Sequence, residues 1–517
     1  MQTRLWKRWS WVVCLALCAF RLQAQEITPL RGPYLHGLLD DSVQVLWASE
    51  ASYAGVVRWR APDGAEGVVT ESAATTSHVV KLSGLQPSTT YSYEVLAVDD
   101  LIAEGDAFRF RTAPPSGTGT VRAVVVGDSG QPALPFLAQV TSMVEQLDPD
   151  LFLHTGDMTY TGELGVPVFE HYRQLLSTRG VYAARGNHDL AIGDASAWLE
   201  LFPPPNQITR IEACVVPTAL CADGNLPERE LPLPRESAFY SFDWGPVHFA
   251  SFDGNRDVDG CGAQVQWLCN DLRSARERGM PWLVLLSHHP VYSKGLHGFL
   301  ESATLRLFPA IAEKYGVDLV ISGHDHNYQR TCPIRGGEIV DAWQEPNYDH
   351  PEGPIYVVTG GGGAILYGLL QQAPRKALVK VFHSTYHATE VEFSPERLHL
   401  RAVDLDGAVL DDVTVTKGAA RTVEGFRRGD LTFDGRHDLS DGVQVLNVLF
   451  LGVGFDCTPA FSFVGDSDGN GRAELADAIY LFNYLFLGGP VLAPPFPACE
   501  ATPEIDVSSC EQVGCRL

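Results

Sequence analysis

Five short polar segments of the sequence carry side chains that suit metal ions. They are residues 127–130, 156–160, 186–189, 287–289 and 323–326. Most follow apolar, β-branched stretches such as residues 121–126 and 282–286, a composition typical of buried strands. An α/β sheet binds its ligands just beyond the carboxyl ends of its strands. We therefore expect the five segments to meet at one edge of a sheet.

The oxygen and nitrogen donors of these segments are enough for two metal ions. The candidate ligands are Asp128, Asp157, Tyr160, Asn187, His288, His324 and His326. Asp157 is the natural bridging carboxylate, because it lies between two sets of terminal ligands. Asp128, Tyr160 and His326 would complete one site. Asn187, His288 and His324 would complete the other. Anionic donors gather in the first site, which favours a trivalent ion there and a divalent ion in the second.

The five segments, Tyr160 included, resemble those of the calcineurin-like metallophosphoesterases, and within them the purple acid phosphatases. Where the wider superfamily commonly has a histidine ligand, this chain has Gly130, and it has Tyr160 instead. The resemblance covers residues 120–416. It implies Fe(III) bound by the Tyr160 phenolate, with Fe, Zn or Mn as the divalent partner. It also favours His288 over His289 as the ligand, since Pro290 completes the His-X-Pro arrangement of the family.

The same resemblance implies an acid phosphatase that hydrolyses small phosphate monoesters by attack of a metal-bound hydroxide. The candidate catalytic side chains are His188 and His297. His188 would hold the phosphate or protonate the leaving alcohol, and His297 matches a substrate-side histidine of the family.

Two alternatives remain open. One is a phosphodiesterase or nucleotide pyrophosphatase that uses the same metal site. The other is a calcium-dependent surface or scaffold protein with an inactive phosphatase domain, and the intact donor set speaks against it.

Apolar and polar residues alternate through residues 25–113, which predicts a small N-terminal β-sandwich. Residues 85–93 resemble the tyrosine-containing corner of a fibronectin type III domain. The whole region resembles the N-terminal domain of the larger plant-type purple acid phosphatases. After a linker at 112–119, strands alternate with helical stretches through residues 120–416. We expect a central α/β metallophosphoesterase domain here, a β-sandwich flanked by helices.

An internal repeat lies within residues 426–490, where segments 430–441 and 466–477 match position for position. Each has oxygen donors at positions 1, 3, 5, 9 and 12, a backbone carbonyl at 7 and a glycine at 6, the pattern of a calcium loop. The predicted calcium-binding positions are Asp430, Thr432, Asp434, Arg436, Asp438 and Asp441 in the first loop, and Asp466, Asp468, Asn470, Arg472, Glu474 and Asp477 in the second. Thr432 replaces the usual carboxylate or amide, so the first site should be weaker.

A helix is expected after each loop, and the pair resembles a dockerin. That resemblance implies a small α-helical C-terminal domain and a cohesin-like protein partner. A Cys-containing tail, residues 491–517, follows it.

The formal charge of −25 over 517 residues argues against nucleic acid as a partner, because that task needs a positive surface. A small phosphate ester remains compatible, since distant charges are screened beyond about 8 Å.

Residues 1–24 combine basic residues, an apolar stretch and a small-residue cleavage site, which predicts a signal peptide. We therefore expect a secreted, periplasmic or cell-surface protein, with no membrane span in the mature chain. An oxidising compartment would allow disulfides, with Cys214 and Cys221, and Cys510 and Cys515, close enough in sequence to pair.

Overall fold

The structure is a computed structural model. It describes residues 29–131, 135–161, 166–193, 195–205, 238–255, 263–297, 303–370, 378–417, 427–432, 436–451, 461, 464–494 and 496. The chain forms two compact units, residues 1–416 and 417–517. The predicted signal peptide, the cysteines at 214, 221, 510 and 515, and nearly all of the predicted tail lie outside the described residues.

The N-terminal part of the first unit consists of strands. They are β1 (Arg31–His36), β2 (Ser42–Tyr53), β3 (Gly55–Arg60), β4 (Glu66–Thr70), β5 (Thr75–Ser83), β6 (Thr90–Ala97), β7 (Asp100–Ala103) and β8 (Arg109–Arg111). Strands β4, β3, β6 and β7 form a sheet in that order, and β8 pairs with β6. This sheet shares a core with β1, β2 and β5 that includes Trp47, Tyr93 and Phe110. The predicted sheet-rich N-terminal region is confirmed.

A tyrosine closes the predicted corner at residues 85–93. The Tyr91 hydroxyl accepts a hydrogen bond from the Gln86 backbone N–H at 2.8 Å. The likeness of this region to a fibronectin type III domain stays a prediction.

The rest of the first unit alternates strands and helices. The strands are β9 (Val121–Val126), β10 (Leu151–His154), β11 (Gly180–Ala183), β12 (Tyr240–Trp244), β13 (Val247–Phe252), β14 (Trp282–Ser287), β15 (Leu319–Ser322), β16 (Tyr328–Thr331), β17 (Ile334–Arg335), β18 (Glu338–Ile339), β19 (Asn347–Asp349), β20 (Ile355–Thr359), β21 (Val379–His383), β22 (His387–Phe393), β23 (Arg397–Asp404) and β24 (Val409–Thr416). The helices are α1 (Phe136–Leu147), α2 (Val166–His171), α3 (Arg173–Leu176), α4 (Ala195–Leu201), α5 (Ala263–Glu277) and α6 (Ala303–Lys314).

Two large sheets face each other across a shared apolar core. One has ten strands in the order β19-β24-β23-β22-β9-β10-β11-β1-β2-β5, and the other has seven in the order β12-β13-β14-β15-β20-β16-β21. Val125 of β9 and Val284 of β14 lie in the core between the sheets. Val124 instead faces helix α1, beside Val140. Strands covered on both faces are apolar along most of their length, as β9 is apart from Arg122. The predicted multi-sheet α/β fold is confirmed.

Parallel pairing aligns the strand ends that carry the candidate ligands. Strands β9, β10 and β11 pair in parallel in the ten-stranded sheet. Strands β13, β14, β15 and β20 do the same in the seven-stranded sheet. The carboxyl ends of each set therefore lie at one edge of its sheet.

The second unit contains helices α7 (Leu439–Leu446) and α8 (Leu475–Leu487), and a π-helical segment, Asn447–Leu451, follows α7. One helix thus follows each predicted calcium loop. The two helices pack closely at Gly442. A Cβ added there would lie only 2.0 Å from the Phe482 ring. The likeness to a dockerin stays a prediction. Among the described residues no helix is long and apolar enough to cross a membrane.

A buried histidine that no sequence pattern indicated links the β12–β13 hairpin to helix α5. His248 Nδ1 donates to Asp243 at 2.6 Å and Nε2 donates to Asp271 at 2.8 Å. Arg278 contacts the outer side of Asp243 at 3.1 Å. Burial disfavours the imidazolium, but the Asp271 and Asp243 carboxylates outweigh it and raise the pKa of His248 to about 9.

The ion pairs of His248 with Asp243 and Asp271 predict that the folded protein loses stability in mild alkali. The pKa of His248 is raised in the folded state, so its contribution is complete below about pH 6.5 and disappears as the pH rises through about 9. We expect the free energy of unfolding to fall by up to about 3 kcal/mol over that interval. Urea denaturation at pH 6, 7.5 and 9 measures it. His248→Gln should flatten the dependence, whereas His350→Gln, at an exposed histidine, should preserve it; an equal slope in both variants would contradict this role.

Candidate dinuclear metal centre

The seven candidate ligands come from both sheets and meet at their common edge. Asp128, Asp157 and Asn187 follow β9, β10 and β11 of the ten-stranded sheet. His288 follows β14 and His324 follows β15 of the seven-stranded sheet. The groups that could bind metal are therefore divided between the two sheets.

Three of these residues have an unusual backbone conformation. Asp128, Asp157 and His324 have φ angles of 61°, 56° and 70°. This left-handed region is uncommon for residues other than glycine and clusters at functional sites. Each of these turns directly follows a strand and carries a candidate ligand.

The donors of the first predicted site lie in contact with one another. The Tyr160 hydroxyl is 3.0 Å from His326 Nε2, which is 3.4 Å from Asp128 Oδ1. His326 Nδ1 faces the Ile365 carbonyl oxygen at 2.6 Å, so Nδ1 carries the proton and Nε2 is left to act as a ligand. Asp128 Oδ1 is buried with no hydrogen-bond partner in the described part of the chain. A buried carboxylate oxygen of this kind suits a cation.

The donors of the second predicted site centre on His288. Its Nε2 lies 3.0 Å from Asn187 Oδ1, 3.2 Å from His324 Nδ1 and 3.4 Å from Asp157 Oδ2. Its Nδ1 donates to the Thr155 carbonyl at 2.9 Å. Donor atoms of Asp128, Asp157 and His288 all lie within 4.8 Å of one another. The structure thus brings together all seven predicted metal ligands.

His289 is also close to this group. Donor atoms of His288, His289 and His324 lie within 4.8 Å of one another. Only His288, however, also groups with the Asp128 and Asp157 carboxylates. This geometry favours His288 as the ligand.

The charges of the site favour cations. Burial lowers the pKa of His288, but the Asp157 and Asp128 carboxylates outweigh burial and raise it to about 10. A metal ion would replace the proton that those carboxylates stabilise. Burial, together with Asp128 and Asp157, raises the pKa of Tyr160. A phenolate at that position therefore needs a cation beside it.

Glycines let the backbone come close to the ligands. A Cβ on Gly360 would lie 2.7 Å from Asp128 Oδ2, so the glycine run at 360–363 passes directly beside the site. A Cβ on Gly130 would lie 2.5 Å from the Thr159 backbone. With the chain in this position, the histidine that the wider superfamily places there has no room.

Both predicted catalytic histidines lie beside the ligands. His188 is exposed, and its ring centroid is 4.3 Å from that of Tyr160. The His297 ring is 4.3 Å from that of His324. Asp325 lies between two ligands in sequence, but its carboxylate accepts hydrogen bonds from the Ser293 hydroxyl and from the His297 backbone N–H. The roles of His188 and His297 stay predictions.

Two further residues of the site, Asp189 and Tyr367, were not predicted from the sequence. The buried Asp189 carboxylate accepts backbone hydrogen bonds from Gly186, Asp157 and Met158 at 2.8, 2.9 and 2.8 Å. Its position in the third polar segment was the available signal. Tyr367 stacks on His326 with ring centroids 4.0 Å apart. It lies far from every motif, so no local pattern indicated it.

In the second unit, the second predicted calcium loop brings its acidic residues together. Donor oxygens of Asp466, Asp468 and Asp477 lie within 4.8 Å of one another. Asp477 accepts hydrogen bonds from the backbone N–H groups of Asp468 and Glu474 at 3.2 and 2.8 Å. Gly471, at loop position 6, has a φ angle of 86°. These features fit a loop folded around a cation.

The first loop repeats part of this arrangement. Asp441 accepts hydrogen bonds from the backbone N–H groups of Thr432 and Asp438, both at 3.0 Å. Among the described residues, the first loop has no group of three acidic donors like that of the second. Asp434, at loop position 5, lies outside the described residues. The calcium-binding roles of both loops, Arg436, Asn470 and Arg472 included, stay predictions.

Comparisons with known proteins agree with the geometry of the first unit. A family model described as calcineurin-like phosphoesterase matches residues 121–328. The chain is 29% identical over 291 residues to purple acid phosphatase 21 of Arabidopsis thaliana, covering 55% of this chain and 58% of that protein. It is 26% identical over 383 residues to acid phosphatase type 7 of Mus musculus, covering 66% of this chain and 77% of that protein.

A solved structure shares the fold. Purple acid phosphatase PPD1 from seeds of yellow lupin, Lupinus luteus, aligns with a TM-score of 0.59 and 22% identity, covering 75% of each chain. The chain spans little more than half the length of the plant relative matched by sequence. The family model covers much of the segment predicted as a metallophosphoesterase domain, and the relatives support the predicted phosphoric monoester hydrolase.

Proposed function

We infer, from a calcineurin-like phosphoesterase domain with purple acid phosphatase relatives, that this chain is a dinuclear-metal acid phosphatase acting on small phosphate monoesters. The observation that carries this inference is the convergence of the predicted oxygen and nitrogen donors at one edge of the two sheets. Tyr160 lies in contact with His326 within that group. This tyrosine is the feature by which the sequence resembled the purple acid phosphatases.

The donor chemistry fits two different ions. Asp128, Tyr160 and His326 would hold Fe(III), because anionic oxygens stabilise a trivalent ion. Asn187, His288 and His324 would hold Fe, Zn or Mn in the divalent state, and Asp157 would bridge the two. When bound, such a pair supplies charge to polarise a phosphoryl group and lowers the pKa of water.

The side chains of the protein would then orient the substrate. His188 is exposed beside Tyr160, where it can hold a phosphate oxygen or donate a proton to the leaving alcohol. His297 is fixed through its backbone hydrogen bond to Asp325 at 2.9 Å. Its ring lies beside that of His324. Each histidine would thus contact the substrate beside a different one of the two metal sites.

The alternatives fit less well. A phosphodiesterase or nucleotide pyrophosphatase would use the same donors, but the matched relatives named above are acid phosphatases. An inactive scaffold protein would not need seven potential metal ligands gathered in contact with one another.

We also propose that the second unit binds calcium and, through its helices, a cohesin-like protein partner. The acidic group of the second loop supports the first part. Exposed apolar residues recur at equivalent positions of the two repeats: Leu439 and Leu475, Val443 and Ile479, Phe450 and Phe486. Such a repeated apolar face is suited to a protein partner. A secreted, periplasmic or cell-surface location, supported by the sequence of residues 1–24, is part of the same proposal.

Removal of the bridging carboxylate tests the phosphatase. We expect the parent protein to hydrolyse p-nitrophenyl phosphate faster than the bis ester. Asp157→Ala should lower kcat by more than about 100-fold, because even residues that only support a ligand contribute about 10–100-fold. Steady-state kinetics measure both. Asp349→Ala, on the surface strand β19, is the control, and parental turnover in Asp157→Ala would refute the mechanism.

Colour tests the role of Tyr160. A phenolate bound to Fe(III) should make the purified parent violet or pink. Tyr160→Phe should remove the visible absorption band, while Tyr367→Phe, whose ring stacks on His326, should retain it. Metal analysis of the same samples shows whether iron is present. A coloured Tyr160→Phe protein would exclude this phenolate as the iron ligand.

Calcium titration tests the second unit. Far-ultraviolet circular dichroism should record a gain of helix on addition of calcium, since loop and helix fold together in such motifs. Asp468→Ala should weaken this response more than Asp430→Ala, because the first loop is expected to be the weaker site. No response in the parent protein would exclude the calcium-loop interpretation.

A further inference from the structure

A side chain from the seven-stranded sheet supports the ligand loop of the ten-stranded sheet. Asn255 follows strand β13, and its Nδ2 donates to the carbonyl oxygens of Arg185 at 2.9 Å and Gly186 at 3.3 Å. These are the two peptide groups immediately before Asn187. Asn255 thus contacts the backbone that carries a predicted metal ligand.

The Asn255 amide is itself held in place. Asp253 Oδ1 accepts hydrogen bonds from Asn255 N and Nδ2 at 3.0 and 2.9 Å. Asp253 is buried, and its backbone N–H and carbonyl pair with the Gln264 side chain of helix α5 at 2.8 and 3.1 Å. The support of Asn255 therefore extends to helix α5, which packs on the outer face of the seven-stranded sheet.

The peptide that Asn255 contacts has little freedom on its other side. A Cβ on Gly186 would lie 2.1 Å from Asp157 Oδ1, so this peptide packs directly on the candidate bridging carboxylate. The Gly186 N–H donates to Asp189 at 2.8 Å. Arg185 Nη2 donates to the Gly193 carbonyl at 2.9 Å. Residues 185–187 are therefore held between Asn255 and Asp157.

We propose that Asn255 is a positioning residue for Asn187, and that it sets the affinity of the metal site formed by Asn187, His288 and His324. This inference rests on the proposed function. An amide oxygen carries no net charge, so its value as a ligand depends on being placed in advance. None of the hydrogen bonds of Asn255 reaches Tyr160 or His326. Its effect should therefore fall on the divalent site.

The experiment measures zinc binding at the divalent site and, in the same samples, the visible absorption band of the iron site. The iron-loaded protein is dialysed against graded Zn²⁺, and bound zinc and iron are measured along with the visible absorption band. Asn255→Ala should weaken zinc binding by about 10–100-fold while the band and the iron content stay as in the parent. Asn347→Ala, at an exposed asparagine on β19, is the matched control and should bind zinc as the parent does.

A second variant, Asn255→Ser, tests the same role if Asn255→Ala does not fold. Asn255→Ser retains a hydroxyl donor and should lose less zinc affinity than the alanine variant. The role of Asn255 is refuted if folded variants bind zinc like the parent, or if iron and zinc are lost together. A parent protein that binds neither ion refutes the proposed function and this inference with it. If the parent binds both ions and the Asn255 variants bind zinc equally well, only the inference about Asn255 is refuted.

Discussion

Two buried carboxylates at the junction of two sheets set the main constraint on this structure. Asp128 and Asp157 lie at adjacent strand ends, both almost fully buried. Like charges in a low dielectric repel strongly unless cations or hydrogen-bond donors compensate them. The surrounding residues supply that compensation: the His324 and His188 backbone N–H groups donate to them, and the His288 imidazole lies against both. The whole edge is organised to hold positive charge.

This charge compensation requires the backbone to approach the two carboxylates unusually closely. Gly186 packs on Asp157 and Gly360 on Asp128, where any side chain would clash. The hydrogen bond from His288 to the Thr155 carbonyl, at 2.9 Å, crosses from one sheet to the other. The position of each donor thus depends on how the two sheets pack, and the shared apolar core between them fixes that packing.

The sequence predicted the parts of the site that lie within short local patterns. Asp128 and His326 belong to segments whose donor types and order are informative without any structure. Tyr367 and Asn255 lie outside such segments, and only folding brings them to the ligands. His248 was missed for the same reason, since its carboxylate partners become neighbours only when α5 packs on the hairpin. In the fold, the apolar strands were predictable, whereas the order of strands within each sheet depends on long-range pairing.

The pairing of β1 with β11 has a consequence for how the first unit can be divided. Leu35 and His36 pair in parallel with Gly180 and Val181, so N-terminal strands continue the ten-stranded sheet. A fragment beginning near residue 120 would leave the β11 backbone as an open strand edge beside the ligand loop. Open edges invite pairing with other chains and aggregation. The N-terminal strands therefore cover a strand edge that residues 120–416 alone would leave open next to the predicted metal ligands.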